Sequence, residues 1–123
     1  MSSQADDIGF LAAAARGLHQ HRATGSGAIA ETLTVNETIA IKAIYLHLSA
    51  TGTTVENLTV NIDSDAGTAY DTNLLTVAMA PVQNIVDTTE RIIPSGDDID
   101  IAYANTSART WGLTIQYAKL GNL

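Results

Sequence analysis

From Ala28 onward the chain is a series of short runs rich in β-branched and apolar residues. They read "AIAETLTV", "TIAIKAIYLHLSA", "ENLTVNIDS", "TNLLTVAM", "NIVDTTERIIP", "DIDIAYAN" and "TWGLTIQYAKL", with Gly, Pro, Asn, Asp or Ser between them. Strands of a sandwich or barrel recur at intervals of roughly 8–12 residues, and these runs keep that spacing. It predicts seven or eight strands in an all-β domain. Leu58, Val60, Ile62 and Leu113, Ile115, Tyr117 alternate with Thr, Asn and Gln, so those strands should bury one face and wet the other. At 123 residues one domain is expected, with roughly two-thirds of the unfolded surface buried in a single core.

The longest run breaks the alternation. Ile39, Ile41, Ala43 and Tyr45 occupy one parity while Ala40, Ile44, Leu46 and Leu48 occupy the other, so both faces read as apolar. Two explanations stand open. Either the strand is covered on both sides, by an N-terminal segment or a neighbouring subunit, or a β-bulge inside it switches faces. The first makes Ile41 and Tyr45 candidate partner-binding residues.

The start of the chain has another texture. Ser3 and Asp6 form a loose capping box, and Ile8, Leu11, Ala12 and Ala15 recur at helical spacing before Gly17, which predicts a helix over Gln4–Arg16. "HQHRATGSG" then reads as a linker. The expected organisation is therefore an arm and linker over residues 1–27 and a sandwich over residues 28–123. Ile8, Phe10 and Leu11 give the arm an apolar face too slight to stand alone in water, so it should dock on something. Arg16, His19, His21 and Arg22 form a locally basic patch, which reads either as a contact for an acidic partner surface or as a solvated linker.

Charge narrows the partners. The net charge is −7, and all of it arises after residue 22, where eleven acids face four bases. Nucleic acid is a poor partner, because that affinity rests on Lys and Arg neutralising phosphates. The Ile8–Ala15 run is too short to span a bilayer and follows an acidic start, so neither a membrane span nor a signal peptide is expected. With no Cys there is no thiolate metal site.

Each candidate for chemistry has a plainer reading. Asp63, Asp65 and Asp71 resemble the start of a calcium loop, but Gly67, Thr68 and Leu74 stand where such a loop needs an oxygen ligand, a glycine and a glutamate, so a tight hairpin is expected. Asp98 and Asp100 share the wet face of a half-buried strand that begins after the Pro94–Gly96 turn. Arg109 is placed to pair with Asp97 or Asp98. Trp111 reads as an indole packed over a sandwich edge, with a sugar-stacking platform as the alternative. His47 reads as a satisfied or interface histidine. No phosphate-binding loop, nucleophile elbow or helical His-Glu-x-x-His occurs, so the expectation is no enzyme, with no catalytic residues, no cofactor and no metal.

The "AGTAYDTNLL" hairpin and the "PSGDDIDIAYAN…TWGL" hairpin resemble a group of small accessory proteins encoded among the structural genes of tailed bacteriophages. The resemblance covers roughly the C-terminal half. It implies an antiparallel, jelly-roll-like β-sandwich that coats or cements the capsid as a decoration protein. It further implies the major capsid protein as partner, a homo-oligomer with a trimer favoured, and a place on the capsid surface of the virion after synthesis in the host cytoplasm. No site residues come with it. The alternative in the same setting is a tail, fibre or adaptor module that binds host glycan, with Trp111, Tyr103 and the 63–71 loop as its platform.

Overall fold

The computed structural model describes residues 18–121, and the helix expected over Gln4–Arg16 lies outside them. Nine strands form: β1 (Leu18–Gly25), β2 (Ile29–Thr34), β3 (Thr38–Leu48), β4 (Asn57–Asp63), β5 (Thr72–Ala78), β6 (Asn84–Asp87), β7 (Arg91–Ile93), β8 (Asp98–Tyr103) and β9 (Trp111–Gly121). One sheet runs β1-β9-β3-β6, with β7 also paired to β3, and the other runs β2-β8-β4-β5. Every pairing is antiparallel. The chain passes repeatedly from one sheet to the other, giving the strand order of a jelly roll in which β6 and β7 share one strand position.

The expected sandwich is present, but its boundary moves. Residues 18–25, read from the sequence as linker, pair along their whole length with β9, from Leu18 opposite Ala118 to Gly25 opposite Trp111. The alternation in "LHQHRATG" is polar against polar, so no hydrophobic period announces it. Gly25 is required by its neighbour: a methyl group there would sit 3.1 Å from the Trp111 ring. The run "NIVDTTERIIP" is likewise two strands, because Asp87 and Thr89 close a turn inside it.

The two-faced run resolves as a bulge. β3 pairs Ile41 with Tyr117 and then Ala43 with Gln116, so Lys42 is an extra residue that shifts the register. An unpaired residue in one strand flips the parity of everything after it. Ile39 and Ile41 before it, and Ile44, Leu46 and Leu48 after it, therefore all enter the core, each no more than 3% exposed. Ile41, proposed from the sequence as a partner contact, is a core residue, which corrects that assignment.

The core joins these residues to Leu113 and Ile115 of β9 and, from the opposing sheet, to Leu58, Val60, Ile99, Ile101 and Tyr103. Each such aliphatic side chain is worth about 1.5–3 kcal/mol on burial. Polar links close the perimeter. At one flank Arg91 donates to Asp87 at 2.9 Å and reaches the Leu74 carbonyl of the other sheet at 3.2 Å. At the other flank, His21 of β1 approaches Glu31 of β2 to 3.4 Å. At one end the buried Asn105 amide donates to the Gly27 and Arg109 carbonyls, each at 2.9 Å, and the Trp111 indole donates to Gly27 at the same distance.

The bulge makes a sharp prediction. Deleting Lys42 should turn Ile44, Leu46 and Leu48 away from the core and abolish cooperative unfolding, read by circular dichroism on heating. Lys42→Ala, which loses only an exposed ion pair to Glu90, should shift stability by less than about 1 kcal/mol. A deletion variant that melts like the parent would refute the parity argument.

Candidate partner interface

The outer faces of the two sheets differ in kind. Across the first sheet, register aligns Leu18, Ala118, Ala40 and Ile92 in one row of cross-strand neighbours, all pointing away from the core. Leu18 is 43% and Ile92 54% exposed, and Leu120 lies exposed beside the row. Farther along the strands a second row holds Arg22, Thr114, Tyr45 and Val86, the last 70% exposed. A third row contains Thr24, Gly112, His47 and Asn84. Between these rows lies an open, mainly apolar groove of about 520 Å³. Gly112 leaves its floor bare, since a methyl group added there meets nothing within 4 Å. His47 Nδ1 lies 2.6 Å from the Asn84 side chain at the groove's end.

The second sheet presents hydroxyls, amides and carboxylates instead. Register aligns Thr34, Asp98 and Asp63 in one row, and Thr32, Asp100 and Asn61 in the next. Thr32 donates to Asp100 at 2.9 Å. Ile99, Ile101 and Tyr103 point inward, so Asp98 and Asp100 take the wet face as the alternation predicts. Asp71 and Asp97 turn back on the 63–71 loop, accepting from the backbone amides of Ser64 at 2.8 Å and Asp65 at 2.9 Å. The loop closes the β4–β5 hairpin through a short turn of 3-10 helix at Thr68–Tyr70. Among the described residues no three His, Cys, Asp or Glu side chains converge to hold a metal ion. Repulsion from Asp71, with burial and then Asp100, Asp98 and Asp97, holds the Asp63 carboxyl above its ordinary value.

The sequence-derived partner residues scatter. Ile8, Phe10, Leu11 and Arg16 lie outside the described residues. Arg22 and Tyr45 meet in the groove, although β1 was read as linker. His19 and His21 are on the opposite side of β1 from Arg22, so they do not form a basic patch with it: His19 stacks on Tyr117 with ring centres 5.4 Å apart, and His21 faces Glu31. The glycan platform is not present, because Trp111 is 6% and Tyr103 2% exposed. The Tyr103 hydroxyl is buried without a hydrogen-bond partner among the described residues, and burial followed by Glu56 raises its pKa against the opposing pull of Arg109. It packs below Gly52, where a methyl group would fall 2.6 Å from the Met79 carbonyl. Arg109 reaches the Thr51 carbonyl rather than Asp97 or Asp98. The groove itself had no signal in the sequence, because its lining comes from four strands and becomes a surface only through register.

The sequence matches no protein-family model and no curated protein. Among solved structures, the chain superposes on one in the acidic stable capsid structure of Helicobacter pylori bacteriophage KHP30. The TM-score is 0.52 and the identity 13%, over 82% of this chain and 86% of that one. A looser superposition, TM-score 0.45 at 12% identity, relates 83% of this chain to 98% of one in the crystal structure of the Drosophila NLP core, a structure described as giving insight into pentamer formation and histone binding. The first likeness is one of fold, and among the described residues no helix is long and apolar enough to cross a membrane.

Two carboxylates set opposite pH responses. Asp63 is held above its ordinary value, so its charged form opposes folding at neutral pH and the penalty is relieved as pH falls through the carboxylate range. Asp63→Asn should raise the melting temperature at neutral pH and low salt, with the gain fading at acid pH or above about 0.1 M salt. Asp87 is held low, first by the Arg91 hydrogen bond and also by the Thr89 amide, against its burial. Its stabilisation is present at neutral pH and is lost as pH falls through the lowered value. Arg91→Met should cost about 1.5–3 kcal/mol at neutral pH and flatten the acid limb of a stability–pH profile.

Proposed function

We propose that the chain is a structural protein of a phage virion, bound to the capsid as a decoration or cement protein, and that it acts without catalysis. The observation that carries this reading is the asymmetry of the outer faces: one is acidic and wet, while the other exposes Leu18 and Ile92 at the two ends of a row whose middle members are the half-buried Ala118 and the buried Ala40. An exposed apolar strip on a small domain marks an interaction surface, and the jelly-roll likeness to a phage capsid chain supports a virion setting. The partner is the major capsid protein, and the protein itself is homo-oligomeric, as a trimer at a lattice junction. Its mechanism is mass action. A protein that binds only the assembled shell stabilises it by RT ln(1 + [L]/Kd), about 2.7 kcal/mol at a hundred times Kd. The acidic face then points outward, where like charge keeps particles apart.

Co-sedimentation with particles stripped of accessory proteins tests the reading. Saturable binding at a fixed ratio to the major capsid protein is expected. Ile92→Asp should weaken it at least about tenfold, which corresponds to about 1.4 kcal/mol, whereas Ala102→Asp on the opposite face should leave it unchanged. Absence of binding by the parent, or equal loss from both variants, would overturn it.

A further inference from the structure

An open sheet ends in edge strands, and each edge offers backbone N–H and C=O groups to any strand that can reach them. Among the described residues the edges are β1 and the β6–β7 position in one sheet, and β2 and β5 in the other. Three of these carry charge within the strand: Arg22 in β1, Glu31 in β2, and Asp87 and Arg91 in β6 and β7. β5 carries none. Its seven residues, "TNLLTVA", also lack Pro and Gly and are rich in Leu, Val and Thr, the composition by which strands of separate chains add to one another.

The protection of β5 comes from outside the strand. Its register against β4 steps from Leu75 opposite Val60 to Asn73 opposite Asn61, so Leu74 is an extra residue with no partner. Arg91, reaching across from the other sheet, donates to the Leu74 carbonyl at 3.2 Å. Its guanidinium is seated on both oxygens of Asp87, at 2.9 and 3.4 Å, and on the Thr89 carbonyl at 3.2 Å. The Leu75 carbonyl accepts from the Asn73 side chain at 3.2 Å, and that side chain is fixed in turn by Asn61 at 2.7 Å and Thr76 at 3.0 Å. Two successive carbonyls in the middle of the strand are thus committed to side chains. An incoming strand would have to displace a forked, charge-assisted pair whose side chains are only 14% and 16% exposed.

We propose that Arg91, seated on Asp87, and Asn73 close the β5 edge against strand addition by a second copy of this chain. The occupant kept out is another β5, because an uncharged strand meets its own copy, antiparallel across a twofold axis, with no like charges face to face. The guard is independent of the capsid reading and leaves association through the Leu18–Ile92 face untouched.

Sedimentation velocity on the full chain, at a fixed interval below each variant's melting temperature, tests it without particles. Arg91→Met should associate beyond the parent's own assembly at concentrations at least about tenfold lower. Adding Thr76→Lys, a charge at an exposed position in the centre of β5, should return the parent's behaviour without restoring the fork. Ile115→Val, which weakens the core from β9 and leaves β5 intact, should sediment as the parent does. If Arg91→Met does not fold, the exposed Asn73→Ala takes its place and should associate in the same sense, again reversed by Thr76→Lys. A folded guard variant that sediments like the parent, association that persists with Thr76→Lys, or equal association in Ile115→Val would each overturn the proposal, the last by assigning the effect to lost stability alone.

Discussion

The sandwich depends on one unpaired residue in its central strand. β3 holds three neighbours, β9 on one side and β6 and β7 on the other, and Lys42 is the point at which its register steps. Without that step a strand of eleven residues could send only one parity inward, and either Ile39 and Ile41 or Ile44, Leu46 and Leu48 would face water. With it, five aliphatic side chains from one strand enter the core. The bulge also decides the outer face, because Ala43 and Tyr45 point outward on the same side as Ala40 on account of it. Core and outer face are two consequences of one backbone irregularity.

The perimeter solves a different problem. A sandwich of two open sheets has flanks where the core thins and water enters, and here those flanks carry polar side chains rather than more carbon. Arg91 ties Asp87 to a carbonyl of the opposing sheet, and His21 meets Glu31 across the other flank. At one end Asn105 does what a backbone turn could not: with φ of 51° it sits in a conformation Asn tolerates, and its amide reaches carbonyls of both flanking segments. A chain poor in aromatics is closed by short, directed hydrogen bonds.

The two outer faces then differ in their chemistry. Carboxylates on the second sheet repel one another, and their placement raises Asp63 without assembling a metal site among the described residues. The first sheet lines its groove with Tyr45 and Val86 beside Arg22, Thr24 and His47, and exposes Leu18, Ile92 and Leu120 beyond it.

Alternation and turn chemistry were enough to place the strands from residue 29 onward, apart from the division of one run into β6 and β7, and with them the wet positions of Asp98 and Asp100 and the hairpin at residues 63–71, because each depends on neighbours two to four positions away. The same local signals left β3 ambiguous between a bulge and double cover, and only pairing with β9 decides that. They also missed β1: a strand whose inward residues are His19, His21, Ala23 and Gly25 has no hydrophobic period and exists because β9 offers it a full edge. Trp111 and Tyr103, legible as possible ligand platforms, are buried because their strands face the opposite sheet. What the sequence by itself determined is the all-β class, its punctuation and its charge. Which residues share a surface was decided by register between strands far apart in the chain, and no local pattern encodes that.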